Sequence, residues 1–160
     1  LWTHLFTGDA QGRFPAEAME RIASAIAMSE SVHTGELCFA VEAALPWREV
    51  LRDTQARQRA VDDFGRLRVW DTAANNGVLI YLLLADRRIE ILADRGLHAR
   101  TAPDFWTTLA SRLSDTLHQG DFESGLALAI EEIGLLLHQH YPDDGRTHNE
   151  NELPNAVVLL

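Results

Sequence analysis

Lysine is absent from this sequence: all 14 basic residues are arginine, against 24 acidic residues, and the formal net charge is −10. A nucleic-acid-binding domain normally needs a basic face, so this balance argues against nucleic acid as a partner. It also argues against a general attraction to anionic lipid. A genome-wide composition bias would explain the missing lysine, so the arginines alone do not indicate oxyanion binding.

Cysteine and long apolar runs are also scarce. Cys38 is the only cysteine, so the chain has no internal disulfide, and its apolar surroundings predict a small buried side chain rather than a nucleophile. No run approaches the ~20 apolar residues that cross a bilayer, and no signal-peptide pattern is visible. We expect a cytoplasmic protein. Because the chain begins at Leu1 rather than at Met, this expectation allows for membrane association through partners or an upstream segment.

The residues that are present fit one globular domain. The chain has 160 residues and is 46% hydrophobic, which is enough to bury one core. Residues 78–85 are uncharged and almost wholly apolar, which predicts a strand covered on both faces. Alternating patterns predict further strands at 36–43 and 88–93. Helical spacing of apolar residues predicts helices over about 15–31 and 55–68, and two more between Pro103 and Tyr141.

The predicted order is α-β-α-β-β-α-α. Strands separated by helices indicate an α/β fold, here a small mixed β-sheet with helices on both faces. Residues 1–13 are predicted to be an N-terminal lead-in, and residues 14–141 a single domain. Residues 142–160 are predicted to be a tail that is mostly extended or mobile.

Polar residues gather in two loops that flank the predicted hairpin. Asp71, Asn75 and Asn76 precede strand 78–85, while Asp94, Arg95 and Gly96 follow strand 88–93. The start of one hairpin strand lies beside the end of the next, so the loops should meet at one sheet edge. There Asp71 and Asp94 would hold Ca²⁺ or Mg²⁺, and Arg95 would pair with an aspartate or bind phosphate. The alternative is a set of loop-capping residues with a structural ion pair.

Glu36 and Trp70 are further candidates for ligand binding near these loops. Glu36 begins the first strand, where it would point toward the same edge or be a solvated strand end. Trp70 would be a binding platform or a tryptophan at the core edge. No catalytic residue is assigned. The sequence has no Ser-His-Asp arrangement, no nucleophile elbow, no phosphate-cradling glycine-rich motif and no metal pattern among its seven histidines.

The stretch from Asn75 to Leu97 resembles the TPM domain family. The residues that carry the resemblance are Asn-Asn-Gly-Val-Leu-Ile at 75–80, the hairpin, and the turn that holds Gly96 and Leu97. The first helix, the Glu36 strand and the Gly-Asp-Phe turn at 120–122 fit the family too, so the resemblance covers 14–141. The tail residues 151–154, Asn-Glu-Leu-Pro, resemble the ending of small bacterial members that lack their own signal and Gly-rich anchor.

This resemblance implies two classes of function. Some plant members are acid phosphatases and some bacterial members bind calcium or magnesium, which implies a divalent-metal-dependent phosphatase. Many members have no known activity, and bacterial relatives accompany membrane-associated partners such as LemA-type proteins. Residues 94–98 read Asp-Arg-Gly-Leu-His, where typical members read Gly-Tyr-Gly-Leu-Glu. This difference, with the missing catalytic motif, favours a binding or interaction module whose partner is a LemA-type or another TPM protein.

Overall fold

The computed structural model describes residues 16–45, 55–143 and 157–160. In chain order the elements are α1 (Ala16–Glu30), β1 (Glu36–Glu42), α2 (Ala56–Arg66), β2 (Gly77–Leu83), β3 (Arg88–Ala93), α3 (Arg95–His98), α4 (Phe105–His118), α5 (Phe122–His140) and β4 (Val157–Leu159). This order confirms the predicted fold class and adds two short elements, α3 and β4. The lead-in at 1–13 and residues 144–156 of the tail lie outside the described residues.

The four strands form one mixed sheet in the order β3-β2-β1-β4. β1 pairs in parallel with both β2 and β4, whereas β2 and β3 form an antiparallel hairpin. Every residue of β1 and β2 is buried, as expected for inner strands covered on both faces. The apolar run predicted at 78–85 therefore forms the inner strand β2, whose bounds are Gly77 and Leu83.

Side-chain alternation along β1 explains why helices cover both faces. Leu37, Phe39 and Val41 point into the larger core, which α1, α4 and α5 complete. Cys38 and Ala40 point to the other face, where they meet the alanines of α2. Small side chains on both elements let the helix lie close to the sheet. Cys38 is buried, as predicted, and this burial raises the pKa of its thiol to about 12.

The element α3 is one helical turn in a place where the sequence predicts a loop. The Asp94 side chain accepts a hydrogen bond from the Arg95 backbone N–H at 2.7 Å, which caps this turn. Leu97 is fully buried and anchors the turn to the core. The loop prediction is therefore wrong for Arg95 and Gly96, which belong to α3.

The strand β4 brings the end of the chain back to the sheet. Val157 and Leu159 pair with Phe39 and Val41 of β1, and Leu160 N–H donates to Val41 O at 2.8 Å. No helix in the described ranges is both long enough and apolar enough to cross a membrane.

Candidate functional site

Strand pairing brings the two predicted polar loops to one edge of the sheet, here called the rim and formed by residues 71–76 and 94–96. Asp94 N–H donates to Gly77 O at 2.8 Å, which continues the β2–β3 hairpin by one residue. On the other side of β2, the register places Glu36 opposite Gly77. The backbone juxtaposition expected from an antiparallel hairpin is therefore present.

Gly96 lets the two loops of the rim touch. A Cβ atom on Gly96 would lie 2.7 Å from the carbonyl oxygens of both Ala74 and Asn75, so any side chain there would collide with backbone. Asn75 itself has a φ of 52°, a left-handed conformation that asparagine tolerates better than most residues. The rim is thus a close backbone contact with little space for side chains.

Two buried oxygens of the rim have no hydrogen-bond partner among the described residues. They are Asn76 Oδ1 and Asp94 Oδ2. The other polar atoms of these side chains are engaged: Asn76 Nδ2 lies 3.4 Å from Thr34 Oγ1, and Asp94 Oδ1 accepts from Arg95. Both residues flank Gly77. Unsatisfied buried oxygens are rare, and a bound ion or water is one physical reason for them.

Asp71 and Trp70, the other rim candidates, face solvent. The Asp71 carboxylate is ion-paired with Arg68, and both side chains are largely exposed. Trp70 is 49% exposed, its indole N–H donates to Gly65 O at 3.1 Å, and the Arg68 guanidinium lies 5.9 Å from its ring. Arg95 is also exposed. Over residues 16–45, 55–143 and 157–160, no group of three or more His, Cys, Asp or Glu could hold a metal ion.

Glu36 is buried and its side chain is hydrogen-bonded to Glu30, a residue that sequence analysis did not single out. It is 2% exposed, so the reading of a solvated strand end is wrong. Its neighbour is Glu30, at the end of α1. Burial, with the hydrogen bond and charge of Glu36, raises the pKa of Glu30 to about 9. Glu30 is therefore protonated at neutral pH, which removes one of two charges that would otherwise repel.

A second feature lies on the outer side of α1 and α5, where a groove of about 520 Å³ separates the two helices. This α1–α5 groove is lined by Ala25, Met28, Ser29, Val32, Ala127, Ile130, Glu131, Gly134, Leu135 and His138. Met28 is 75% exposed and Leu135 64% exposed, and Val32 is also exposed. Large apolar side chains with this exposure, contiguous along a groove, are typical of an interaction surface.

The groove exists because α1 and α5 run side by side in the same direction. Arg21 pairs with Glu123 near the start of both helices, and His138 Nδ1 lies 2.8 Å from Val32 O near their ends. Between these points, a Cβ atom on Gly134 would lie 2.4 Å from Ser29 Oγ. Glycine thus allows close packing of the helices, and the small residues make the floor of the groove.

The turn after α1 fixes the end of this groove. His33 is fully buried; its Nδ1 accepts from Gly35 N–H at 3.1 Å and its Nε2 lies 3.1 Å from Ser29 Oγ. Burial lowers the pKa of His33 to about 4, so the ring is neutral at physiological pH and supports this hydrogen-bond pattern. Val32, beside it, is held at the groove wall by His138.

The sequence model of the TPM domain family matches residues 8–135. This chain belongs to the TPM domain family. The solution structure of BA42 from the psychrophilic bacterium Bizionia argentinensis is similar to it over 92% of this chain and 95% of that one, with 29% identity and a TM-score of 0.77. The family and the fold inferred from the sequence are thus confirmed.

A second solved structure extends the comparison of folds. The N-terminal domain of a P. gingivalis protein covers 86% of this TPM domain and 79% of its own chain, with 19% identity and a TM-score of 0.55. At that identity the similarity concerns the fold alone. Comparison with curated proteins finds no match.

At the end of β1 and β2 opposite the rim, this TPM domain contains a buried ionic network. Arg59 of α2 donates two hydrogen bonds of 2.9 Å to Glu42, which also accepts one of 2.7 Å from the Tyr81 hydroxyl. Asp63 accepts from Arg66 at 2.6 Å and lies 3.8 Å from Arg59. Asp63 Oδ2 has no hydrogen-bond partner among the described residues, but both carboxylates of the network lie beside arginines. Because the network joins α2 to the sheet, we regard it as structural.

Sequence reasoning missed both the groove and the Glu30–Glu36 pair. Met28 and Leu135 lie outside the core stripes of their helices, and Val32 lies in the turn after α1. Single exposed apolar residues of this kind are ordinary on protein surfaces. Nothing in the sequence pairs α1 with α5, so the contiguity of these side chains could not be read from it.

Proposed function

We propose that this TPM domain is a binding module that docks a protein partner in the α1–α5 groove. The observation that carries the proposal is the set of exposed apolar side chains, Met28, Val32 and Leu135, that line one continuous groove. Burying such side chains against a partner contributes about 25 cal/mol per Å² of apolar surface removed from water. They lie outside the domain's own core, so folding alone does not account for their position.

The partner that we propose is a membrane-associated protein, such as a LemA-type protein or another TPM protein. What supports this part of the proposal is the family resemblance. The acidic composition supports contact with a protein instead of anionic lipid or nucleic acid, because a net charge of −10 repels both. The domain would thus act beside a membrane through its partner.

Affinity capture with the full chain tests the docking proposal. We expect Leu135→Asp to abolish capture of a partner from the native cell, because it places a charge on the apolar wall of the groove. Val61→Asp is the matched control, since Val61 is 46% exposed on α2, across the sheet from the groove. Capture of no partner above background by the wild-type chain, or equal loss with both substitutions, would refute the proposal.

A second candidate function is divalent-metal-dependent hydrolysis of phosphomonoesters at the rim. It is favoured by the buried, unpartnered oxygens Asn76 Oδ1 and Asp94 Oδ2, which are hard ligands of the kind Ca²⁺ and Mg²⁺ bind. Asp94 and Asn76 would hold the ion, and the guanidinium of the neighbouring Arg95 would bind the phosphate group of the substrate. Asp71 would join only if it left its ion pair with Arg68. The ion would polarise the phosphoryl oxygens.

Thermal shift on titration with calcium or magnesium tests this second candidate. We expect a rise in melting temperature that Asp94→Asn removes and Asp104→Asn, an exposed residue before α4, does not. A phosphatase must further hydrolyse a generic phosphomonoester in the presence of the ion and lose that activity in Asp94→Asn. Absence of turnover with Ca²⁺, Mg²⁺ and Mn²⁺ from acidic to neutral pH would rule out the catalytic role.

A further inference from the structure

The α1–α5 groove has the shape of a site for a helix. Its walls are two parallel helices, and the α5 wall from Ala127 to His138 runs roughly 16 Å at 1.5 Å per residue. That length matches about three turns of a bound helix. The floor is made of small residues, Ala25 and Gly134 among them, while Met28 and Leu135 stand at the walls. An amphipathic helix fills such a groove with apolar residues spaced i, i+3 or i+4, and i+7.

The two helices that form the groove are mainly acidic. Besides the protonated Glu30, α1 contributes Glu17 and Glu20 and α5 contributes Glu123, Glu131 and Glu132, while Arg21 is the one arginine in the two helices. Arg21 is already ion-paired with Glu123, and Glu132 is paired with Arg112 of α4. Glu131 is exposed and lines the groove itself. A bound helix would therefore meet carboxylate at the middle of the groove and more acidic side chains beyond it.

From this shape and charge we infer that the occupant of the groove is a basic amphipathic helix of a partner protein, with an arginine or lysine placed against Glu131. The inference rests on the proposed docking function and adds the chemistry of the partner. A second copy of this chain fits less well, because a two-fold contact would bring the same acidic surfaces together, each chain carrying a net charge of −10. Anionic lipid is disfavoured by the same charges.

Two synthetic peptides, each about 15 residues long, provide the test. Both form helices with the same leucine stripe, and they differ only in their flanking residues, arginine in one and glutamate in the other. We expect the arginine peptide to bind about tenfold more tightly and to shift the amide resonances of residues 25–32 and 127–138. Glu131→Arg should reverse the preference. Glu20→Arg, the same change of charge at an exposed α1 residue outside the groove lining, should leave it in place.

Several results would overturn this inference. They are equal binding of both peptides, binding of neither, shifts confined to another surface, and equal effects of the two arginine substitutions. Leu135-dependent dimerisation in sedimentation equilibrium, or Leu135-dependent cosedimentation with phosphatidylcholine vesicles, would identify a second copy or lipid as the occupant instead. A native partner whose capture depends on Leu135 but whose contact segment is acidic would leave the docking function standing and refute the basic helix.

Discussion

Replacing Arg59 by methionine should destabilise the domain far more than the same replacement of Arg57 on the same helix. Arg59 reaches Glu42 with two hydrogen bonds of 2.9 Å, and their side chains are 12% and 5% exposed. Without Arg59, the Glu42 carboxylate keeps the Tyr81 hydroxyl as partner and stays buried with its charge uncompensated. Removing one partner of such a pair costs about 3–5 kcal/mol of unfolding free energy.

Arg57 provides the matched control on the same helix. Its contact with Glu90 is 3.4 Å long and the arginine side chain is 55% exposed, so Arg57→Met should cost about 1 kcal/mol or less. The double variant Arg59→Met/Glu42→Gln has no unpaired buried carboxylate at this site. It should regain a large part of the unfolding free energy that Arg59→Met loses. Tyr81→Phe alone should cost about 1.5–3 kcal/mol, since it removes a hydrogen bond to a charged group.

Urea unfolding followed by circular dichroism measures these differences as shifts in the midpoint at constant slope. If Arg59→Met and Arg57→Met lose the same stability within about 0.5 kcal/mol, the interpretation of a buried, mutually dependent network is refuted.

Three further predictions concern buried groups. The folded pKa of Glu30 is about 9 against 4.5 for the free side chain, so stability should fall as the pH rises through this window, and Glu30→Gln should flatten the dependence in pH-resolved urea titrations. Gly77→Ala should cost roughly 2–3 kcal/mol because its Cβ would lie 2.0 Å from Val69 O, while Gly65→Ala, with nothing within 4 Å, should not destabilise. Cys38 should react with a thiol reagent only on unfolding; rapid labelling of the native chain would contradict its burial.

Local patterns were sufficient to predict most of the fold. The uncharged run at 78–85 predicted an inner strand, and the helical spacing of apolar residues predicted the helices over about 15–31 and 55–68. Those patterns involve residues close together in the sequence, so they can be recognised without knowledge of long-range contacts. The strand β4 left no comparable signal, because three residues, Val157–Leu159, become a strand only through pairing with β1.

The rim could be predicted because local hairpin geometry brings its two loops to one edge of the sheet. The groove could not, because it depends on contacts between helices that are distant in sequence. Hairpin geometry fixes where the backbones of Asn76 and Asp94 lie relative to Gly77, so topology alone places both residues at this edge of the sheet. Whether a carboxylate there is free depends on neighbours such as Arg68, which pairs with Asp71 through a local turn that composition does not specify. The groove depends on Gly134 meeting Ser29 across two helices that are far apart in sequence.

Site-specific photo-crosslinking in the native cell can show whether the α1–α5 groove binds a protein. A photoreactive amino acid replaces Met28 at the groove wall, and in a second chain it replaces Val61 on α2, which is also exposed. We expect a discrete adduct with one protein segment from position 28 and none from position 61. Equal adducts from both positions, or none from position 28, would contradict it.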